Sequence, residues 1–357
     1  MNILSGTYST LIQVVAVLFG LGLLIFIHEL GHFTMAKLYK VKVLKFAFGF
    51  GKELIGFTKG ETRYSICLFP FGGMVAMAGE NPDEATGKEG EYLSLKWYKK
   101  AMIAFCGPLM NYVLAVLIFA FVFNVWGLTN ISTEASIGYL SEENCAAKAG
   151  LLAGDKILSV DGVQIKDWFD LTKNLKEKAD KEVEFTVLRD EKELNFKFVL
   201  DKNPNTGSGM LGIQPKITKE KVSFFKAFYH GIDTSIYQST FTLKYLWEKI
   251  VSWEKPEVAG PIGVIQVMAK SAKSGLENYI RLLAVISVAL GLFNLLPIPL
   301  VDGGMIILFI AEGIIRKQIG LKVIQVYNTI GLSLILLIFL FATYNDLIRL
   351  GIGKLFK

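Results

Sequence analysis

The sequence predicts a polytopic α-helical membrane protein with about four transmembrane helices and one inserted β-rich domain. Hydrophobic residues make up 52% of the 357 residues, which is more than an ordinary soluble domain carries. Four apolar segments approach or exceed the ~20 residues needed to cross a bilayer. Between the second and third of them, short alternating segments separated by turn signals are typical of β-strands.

The four spans are predicted at residues 11–33, 101–126, 279–296 and 323–344. The first is expected to be a retained helix, because no Lys or Arg precedes Lys37 and no small-residue cleavage site follows it. The 34–100 loop contains eleven Lys or Arg residues. The positive-inside rule therefore predicts that this loop is cytoplasmic and that the long 127–278 segment lies outside.

Charge and cysteine usage exclude two classes of protein. The net charge is +6, but the lysines are dispersed and form no basic block with aromatic residues, so no nucleic-acid partner is expected. The three cysteines contain no CxxC pair, so neither a disulfide framework nor a zinc finger is predicted.

The segment at 131–202 resembles a bacterial PDZ domain, most clearly in "AAKAGLLAGDKILSVDG". PDZ domains bind an extended peptide by adding it to a sheet edge. The resemblance implies a peptide-binding loop at Ile137, Gly138, Tyr139 and Leu140. A plain β-rich spacer is the alternative.

The predicted domains are 1–126 (N-terminal membrane part), 131–202 (PDZ-like), 203–278 (linker) and 279–357 (C-terminal membrane part). The linker contains aromatic residues at helical spacing together with His230 and several charges. This pattern predicts an amphipathic helix on the outer membrane surface. A fifth span remains the alternative.

The motif "HELGH" places His28 and His32 four residues apart, on one face of the first span. This spacing suits two ring nitrogens on one zinc ion, and Glu29 is close enough to act as general base on a water at the metal. Ionisable groups at membrane depth are expensive and indicate a functional site. Alternatively, the histidines hydrogen-bond a neighbouring helix.

A catalytic zinc needs a third protein ligand. Asp302 lies in "NLLPIPLVDGG", where two prolines and two glycines preclude a regular helix. An aspartate at membrane depth requires a partner, and we expect zinc to be that partner. His230 is a second candidate ligand, and a helix-capping role is the alternative for Asp302.

These motifs resemble the site-2 proteases, a family of intramembrane zinc metalloproteases, and specifically the bacterial RseP-like branch. "HELGH" and "NLLPIPLVDGG" resemble its two metal motifs, and "FAFGFG", "PFGGMVAMAGE", "GPLMN" and "GPIGV" resemble further family stretches. Two departures concern substrate choice: one PDZ-like domain replaces a tandem pair, and Met74 and Ala76 replace a usual tyrosine and lysine.

The resemblance implies one Zn²⁺ per chain, bound by His28, His32 and Asp302, with Glu29 as the catalytic base. It also implies a membrane-associated β-hairpin at 64–80 that pairs with the substrate backbone. The implied substrate-binding residues are Asn294, Pro297, Gly72, Gly73, Met74 and Val75.

The resemblance further implies regulated cleavage within transmembrane segments of single-pass proteins that an upstream site-1 protease has already trimmed. Anti-sigma factors and signal peptides are the expected substrates, and membrane lipid is a further partner. The expected location is the bacterial cytoplasmic (inner) membrane, multi-pass, with the PDZ-like domain extracytoplasmic. Two alternatives remain: a membrane-anchored zinc protease for misfolded membrane proteins, and a non-catalytic PDZ scaffold.

Overall fold

A computed structural model describes residues 2–132, 134–141, 144–203, 207–253 and 260–349, with side chains from residue 11 onward except residue 131. The chain forms two compact units. One comprises Met1–Val122 and Ser223–Lys357, and the other Phe123–Val222. We refer to them as the membrane unit and the PDZ-like unit.

Helices dominate the membrane unit. They are α1 (Asn2–Leu38), α2 (Trp97–Trp126), α5 (Phe224–Val251), α6 (Pro261–Lys273), α7 (Leu276–Asn294), α8 (Asp302–Ile315) and α9 (Leu321–Arg349). Four of the described helices are long and apolar enough to cross a membrane: Leu11–Leu38, Trp97–Trp126, Leu276–Asn294 and Leu321–Arg349. They coincide with the four predicted spans, and the chain is therefore a membrane protein by length and composition.

Strands β1 (Val43–Lys59) and β2 (Thr62–Met77) form a folded antiparallel ribbon between α1 and α2. Residues 45–48 of β1 pair with residues 73–76 of β2 and also with residues 63–66 of β2. The connecting turn follows the Lys59–Thr62 pair and contains Gly60. The predicted hairpin at 64–80 is therefore corrected: the ribbon starts earlier, and Gly72 and Gly73 lie inside β2 instead of forming the turn.

Aromatic packing joins the ribbon to α1. The Phe46 ring stacks on Phe33 with centroids 4.5 Å apart and lies 5.1 Å from Phe26. A Cβ atom on Gly73 would lie 3.0 Å from Cγ of Glu29 and 3.1 Å from Cα of Phe26. The absence of a side chain at Gly73 therefore lets β2 approach α1 beside Glu29.

The predicted linker 203–278 is divided: its residues up to Val222 belong to the PDZ-like unit, and its aromatic segment forms one helix, α5, over residues 224–251. The side chain of Ser223 caps α5 by accepting from the backbone N–H of Lys226. Gly231 lies against the Val116 carbonyl, and the Tyr112 and Ser239 hydroxyl oxygens are 2.9 Å apart. Helix α5 therefore packs antiparallel against α2, and its predicted location at the membrane surface stays a prediction.

A buried ion pair connects α2 with α8. The Lys100 ammonium group donates to a Glu312 carboxylate oxygen at 2.8 Å, and the two side chains are 1% and 6% exposed. The Glu312 carboxylate also accepts from the Ile319 N–H at 3.4 Å. The pair therefore holds the C-terminal part of α8 against the start of α2.

The PDZ-like unit is larger than the predicted 131–202. Its elements are β3 (Leu128–Ile131), β4 (Ile137–Leu140), α3 (Cys145–Lys148), β5 (Lys156–Val160), β6 (Val163–Gln164), α4 (Trp168–Leu175), β7 (Glu182–Arg189), β8 (Lys192–Val199), β9 (Asp201–Lys202), β10 (Gly209–Met210), β11 (Ile213–Pro215) and β12 (Ile217–Glu220). The main sheet has the order β6-β5-β7-β8. Its core includes Ile157, Leu171 and Phe185. The last two strands pair back with the first two, as β11 with β4 and β12 with β3.

Candidate active site

Helix α1 carries two of the three side chains of a group that could hold a metal ion. His28 and His32 are 9% and 7% exposed, and their Nε2 atoms lie 3.1 Å apart. The helical repeat places residues i and i+4 on one face, so the two rings point into the same space. Gly107 of α2 faces them, because a Cβ atom at that position would collide with both rings.

Asp302 completes the cluster from the start of α8. Helix α7 ends at Asn294, and the chain turns through the two prolines with Leu300 in the left-handed region at φ 77°. The Asp302 carboxylate then lies 3.1 Å from Nε2 of His28 and 3.5 Å from Nε2 of His32. The proline–glycine segment thus brings the carboxylate to the histidines.

These three side chains fit a zinc ion. Bonds of about 2.0–2.1 Å at tetrahedral angles put neighbouring ligand atoms about 3.4 Å apart. The two Nε2 atoms lie 3.1 Å apart, one Asp302 oxygen lies 3.1 Å from His28 and the other lies 3.5 Å from His32. One ligand atom from each residue can be chosen so that all three lie within 4.8 Å of one another, so a small adjustment of the side chains reaches the tetrahedral spacing. Two imidazoles and one carboxylate, with one position left open, form a donor set that catalytic zinc uses. Among the described residues, His230 is not part of this group.

Outer hydrogen bonds orient both rings. Nδ1 of His32 lies 2.8 Å from the Ile103 carbonyl oxygen. The proton therefore sits on Nδ1 and leaves the Nε2 lone pair free for a metal, an arrangement typical of zinc sites.

Asn111 has the same role at His28. Its amide nitrogen is placed 3.3 Å from Nδ1 of His28, while its buried Oδ1 has no hydrogen-bond partner among the described residues. The two amide atoms are interchangeable in position. Turning the amide over satisfies Oδ1, which then accepts from the Nδ1 proton of His28 and leaves Nε2 for the metal.

Glu29 lies beside the metal group and touches the ribbon. Its carboxylate accepts a hydrogen bond from the Val75 backbone N–H at 3.3 Å. A cavity of about 560 Å³ contains Glu29 and the three ligands together with Gly73, Met74, Val75 and Asn294. It is large enough for a short extended peptide segment. Gly72 and Pro297 are not part of the described lining of this cavity.

The predicted peptide-binding loop of the PDZ-like unit requires a correction. Ile137–Leu140 form strand β4, and Ile137 bonds through its backbone to Asp155 and Gly154 on one side. On the other side β4 pairs with β11, whose own second edge has no strand partner among the described residues. The pairing of the described residues thus occupies both edges of β4 at Ile137 and leaves one edge of β11 without a strand partner.

A groove of about 510 Å³ lies beside that edge. It is lined by one face of α4, by Tyr139 and by the segment from Ser208 to Gln214. Trp168, Leu171 and Leu175 supply the apolar wall, and Lys176 supplies a positive charge. Sequence analysis did not predict this segment as a binding element, although "GMLGI" at 209–213 contains turn glycines beside apolar residues.

Two further residues near the metal group were also missed. Asn111 lies in the "GPLMN" stretch, where a polar residue within an apolar span is itself a signal. Glu80 lines the cavity and accepts from the Met77 N–H. Its position after a Gly79 turn gives no comparable signal.

Two histidines and a glutamate on a helix long enough to span a bilayer, with an aspartate beside them from α8, are the arrangement expected of a membrane metalloprotease. The chain belongs to peptidase family M50, the site-2 protease family, whose model matches residues 16–338.

Similar proteins occur in several bacteria. A "putative zinc metalloprotease" of Clostridium acetobutylicum is 30% identical, covering 94% of this chain and 97% of the relative. Relatives with the same descriptive name in Fusobacterium nucleatum and Rickettsia conorii are 33% and 31% identical. They are covered to 97% and 99% of their lengths, which corresponds to 92% and 94% of this chain.

Among solved structures, the PDZ domain of an SdrC-like protein from Listeria monocytogenes is 20% identical. The match covers 24% of this chain and 90% of that domain, with a TM-score of 0.22.

Proposed function

We propose that the protein is a zinc endopeptidase that hydrolyses peptide bonds within transmembrane segments of other membrane proteins. One observation carries this proposal. Ligand atoms of His28, His32 and Asp302 lie within 4.8 Å of one another on or beside a span-length helix, with Glu29 adjacent. One zinc ion per chain would occupy this group.

Zinc bound there would act as a Lewis acid that polarises the scissile carbonyl and acidifies the attacking water. Glu29 takes a proton from that water as its oxygen forms a bond with the carbonyl carbon. The same carboxylate then gives the proton to the amine nitrogen as the C–N bond breaks. Asn294, at the end of α7, lines the cavity, and its amide would donate to the carbonyl oxygen as negative charge develops.

The ribbon of β1 and β2 would hold the substrate in the extended conformation that cleavage requires. A transmembrane substrate must unwind to expose its carbonyl groups, and each unpaired backbone group in lipid costs on the order of several kcal/mol. Strand β2 offers the backbone N–H groups of Val75 and Met77 on the edge turned toward the cavity. We infer that the ribbon enters the membrane and pairs with the unwound segment as an added strand.

We infer that the 34–100 loop is cytoplasmic and the PDZ-like unit extracytoplasmic in a bacterial cytoplasmic membrane. The groove beside β11 would hold the end of a substrate that another protease has already trimmed. Anti-sigma factors and signal peptides are the substrate classes that suit such a path.

The test uses purified full-length protein and a single-pass reporter whose membrane segment contains helix-weakening residues. The wild type should cleave within that segment. Glu29→Gln should keep its fold and zinc but lose roughly 10²–10⁴ in rate, the usual contribution of general-base catalysis. Cleavage only outside the membrane segment would contradict the intramembrane assignment, and a near-normal rate for Glu29→Gln would exclude Glu29 as base.

A further inference from the structure

Strand β2 has one edge paired with β1 and one edge turned toward the cavity. Just beyond the strand, the Ala78 N–H donates to the Lys42 carbonyl at 2.8 Å, on the β1 side. The Val75 and Met77 N–H groups point the other way, and each donates to a carboxylate. The acceptors are Glu29, at 3.3 Å, and Glu80, at 3.1 Å. Two carboxylate oxygens therefore occupy the positions that carbonyl oxygens of an added strand would take.

Glu80 reaches this edge from the turn that ends β2. It lines the same cavity as His32 and Asp302, and its residue is exposed. Its own N–H donates back to the Met77 carbonyl at 3.3 Å. Among the described residues its carboxylate forms no ion pair, so the hydrogen bond to Met77 is what holds it.

The Glu80 carboxylate has two possible roles. It can brace the turn, or it can occupy a donor that the substrate needs. The turn is already closed by the backbone bond from Glu80 to Met77, and Gly79 adopts the positive φ of 63° that this turn requires. Among the described residues the carboxylate has no cationic partner, so only its hydrogen bond to Met77 must break for it to leave the donor. These features favour the second role.

We propose that Glu80 is a specificity-determining residue that selects unwound substrate segments. In the free protein its carboxylate satisfies the Met77 N–H, and a substrate binds by placing a carbonyl oxygen there instead. A carbonyl in an intact helix is already hydrogen-bonded and cannot displace it. A segment that has lost its helical hydrogen bonds gains a new one when its carbonyl replaces the carboxylate. The competing carboxylate therefore increases the difference in affinity between unwound and helical segments.

This inference rests on the proposed function and is tested by binding. The probes are two fluorescein-labelled apolar peptides of about 20 residues, one with a central Asn-Gly pair and one with Leu at both positions. Fluorescence anisotropy gives their affinities for full-length Glu29→Gln protein in detergent. Replacing Glu80 by Ala in this background should strengthen binding of both peptides about 3- to 10-fold, because the competitor for one hydrogen bond is gone. The Leu peptide should gain more, so the preference for Asn-Gly should shrink.

Three variants control the result. Glu80→Gln keeps an oxygen acceptor for Met77 and should bind like the parent. Glu80→Asp retains the charge but withdraws the carboxylate by one methylene, and should resemble Glu80→Ala. Glu84→Ala removes a neighbouring acid whose side chain is not part of the described cavity lining and should change nothing.

Unchanged or weaker binding by Glu80→Ala would overturn the proposal. If Glu80→Ala and Glu80→Asp both lose a cooperative unfolding transition, the carboxylate is a turn brace and the proposal is likewise rejected. Failure of the proposed function looks different: the wild type then cleaves neither peptide, and the Glu29→Gln parent binds neither.

Discussion

At the scale of single residues, alanine variants test whether Asp302 or His230 is the third zinc ligand. His28→Ala, His32→Ala and Asp302→Ala should each abolish zinc binding, because two remaining protein ligands do not hold zinc tightly. His230→Ala should keep about one zinc per chain. Metal analysis of the purified proteins by mass spectrometry measures this, and zinc retained in Asp302→Ala would refute the ligand assignment.

Asn111 offers a second test at the same scale, because it contacts the His28 ring and is not itself a proposed metal ligand. Asn111→Leu removes the acceptor for the Nδ1 proton of His28, and losing such a partner typically weakens metal affinity about 10- to 100-fold. Asn111→Asp keeps an acceptor and should lose much less. Competition with a zinc chelator gives both affinities, and equal losses would show that Asn111 only fills space.

At the scale of elements, proline substitutions on the two edges of β2 test substrate pairing and ribbon stability separately. Val75→Pro removes an N–H on the cavity edge, so cleavage should be lost while zinc and fold are retained. Met77→Pro acts on the same edge. N–H groups alternate along a strand, and the Ala78 N–H donates to Lys42 on the β1 side. The Ala76 N–H is therefore expected on that side, and Ala76→Pro should instead lower the thermal unfolding temperature. Val75→Ala is the mild control, and normal cleavage by Val75→Pro would argue against strand addition.

The Lys100–Glu312 pair makes a prediction about how α2 holds α8. Lys100→Met leaves a buried carboxylate without its cation, a change that typically costs about 3–5 kcal/mol of stability. Because Asp302 begins the helix that contains Glu312, zinc affinity should fall as well. The double variant Lys100→Met/Glu312→Leu should recover most of the stability. Chemical unfolding in detergent measures both, and a single variant as stable as wild type would exclude a structural role.

The features of these elements that could be predicted from the sequence were those that local patterns reveal. The i, i+4 spacing of His28 and His32 is contained in one helical turn, and the prolines before Asp302 announce a broken helix. The hairpin bounds of 64–80 could not be read from Gly72 and Gly73, because glycine marks a close approach of the backbone as readily as a turn. Here Gly73 admits β2 to α1, and the turn lies at Gly60.

Other features depend on pairs that are distant in the chain and leave no local signal. Lys100 and Glu312 are 212 residues apart, and each alone resembles a charge at a helix end. The β4–β11 pairing joins the start and the end of the PDZ-like unit. Short strands such as β11 have too few residues to show a period.

At the scale of the whole molecule, the four spans and the loop charges predict which face each unit occupies. A single cysteine at Asn203 should react with a membrane-impermeant reagent added to spheroplasts, and one at Lys88 should not. A background in which Cys67, Cys106 and Cys145 are replaced by serine prevents native labelling. Labelling at Lys88 alone would invert the topology and place the PDZ-like unit in the cytoplasm.

The composition of the metal group also determines when during synthesis the protein becomes active. Its two histidines lie in the first predicted span, and the aspartate follows the third. A growing chain therefore carries an incomplete group until nearly all of it has been made, and Glu312, the partner of Lys100, emerges later still. Under the proposed function, a nascent or truncated copy that ends before Asp302 lacks the third ligand and does not cleave its neighbours in the bilayer. The order of elements along the chain would then delay proteolytic activity until membrane insertion is almost finished.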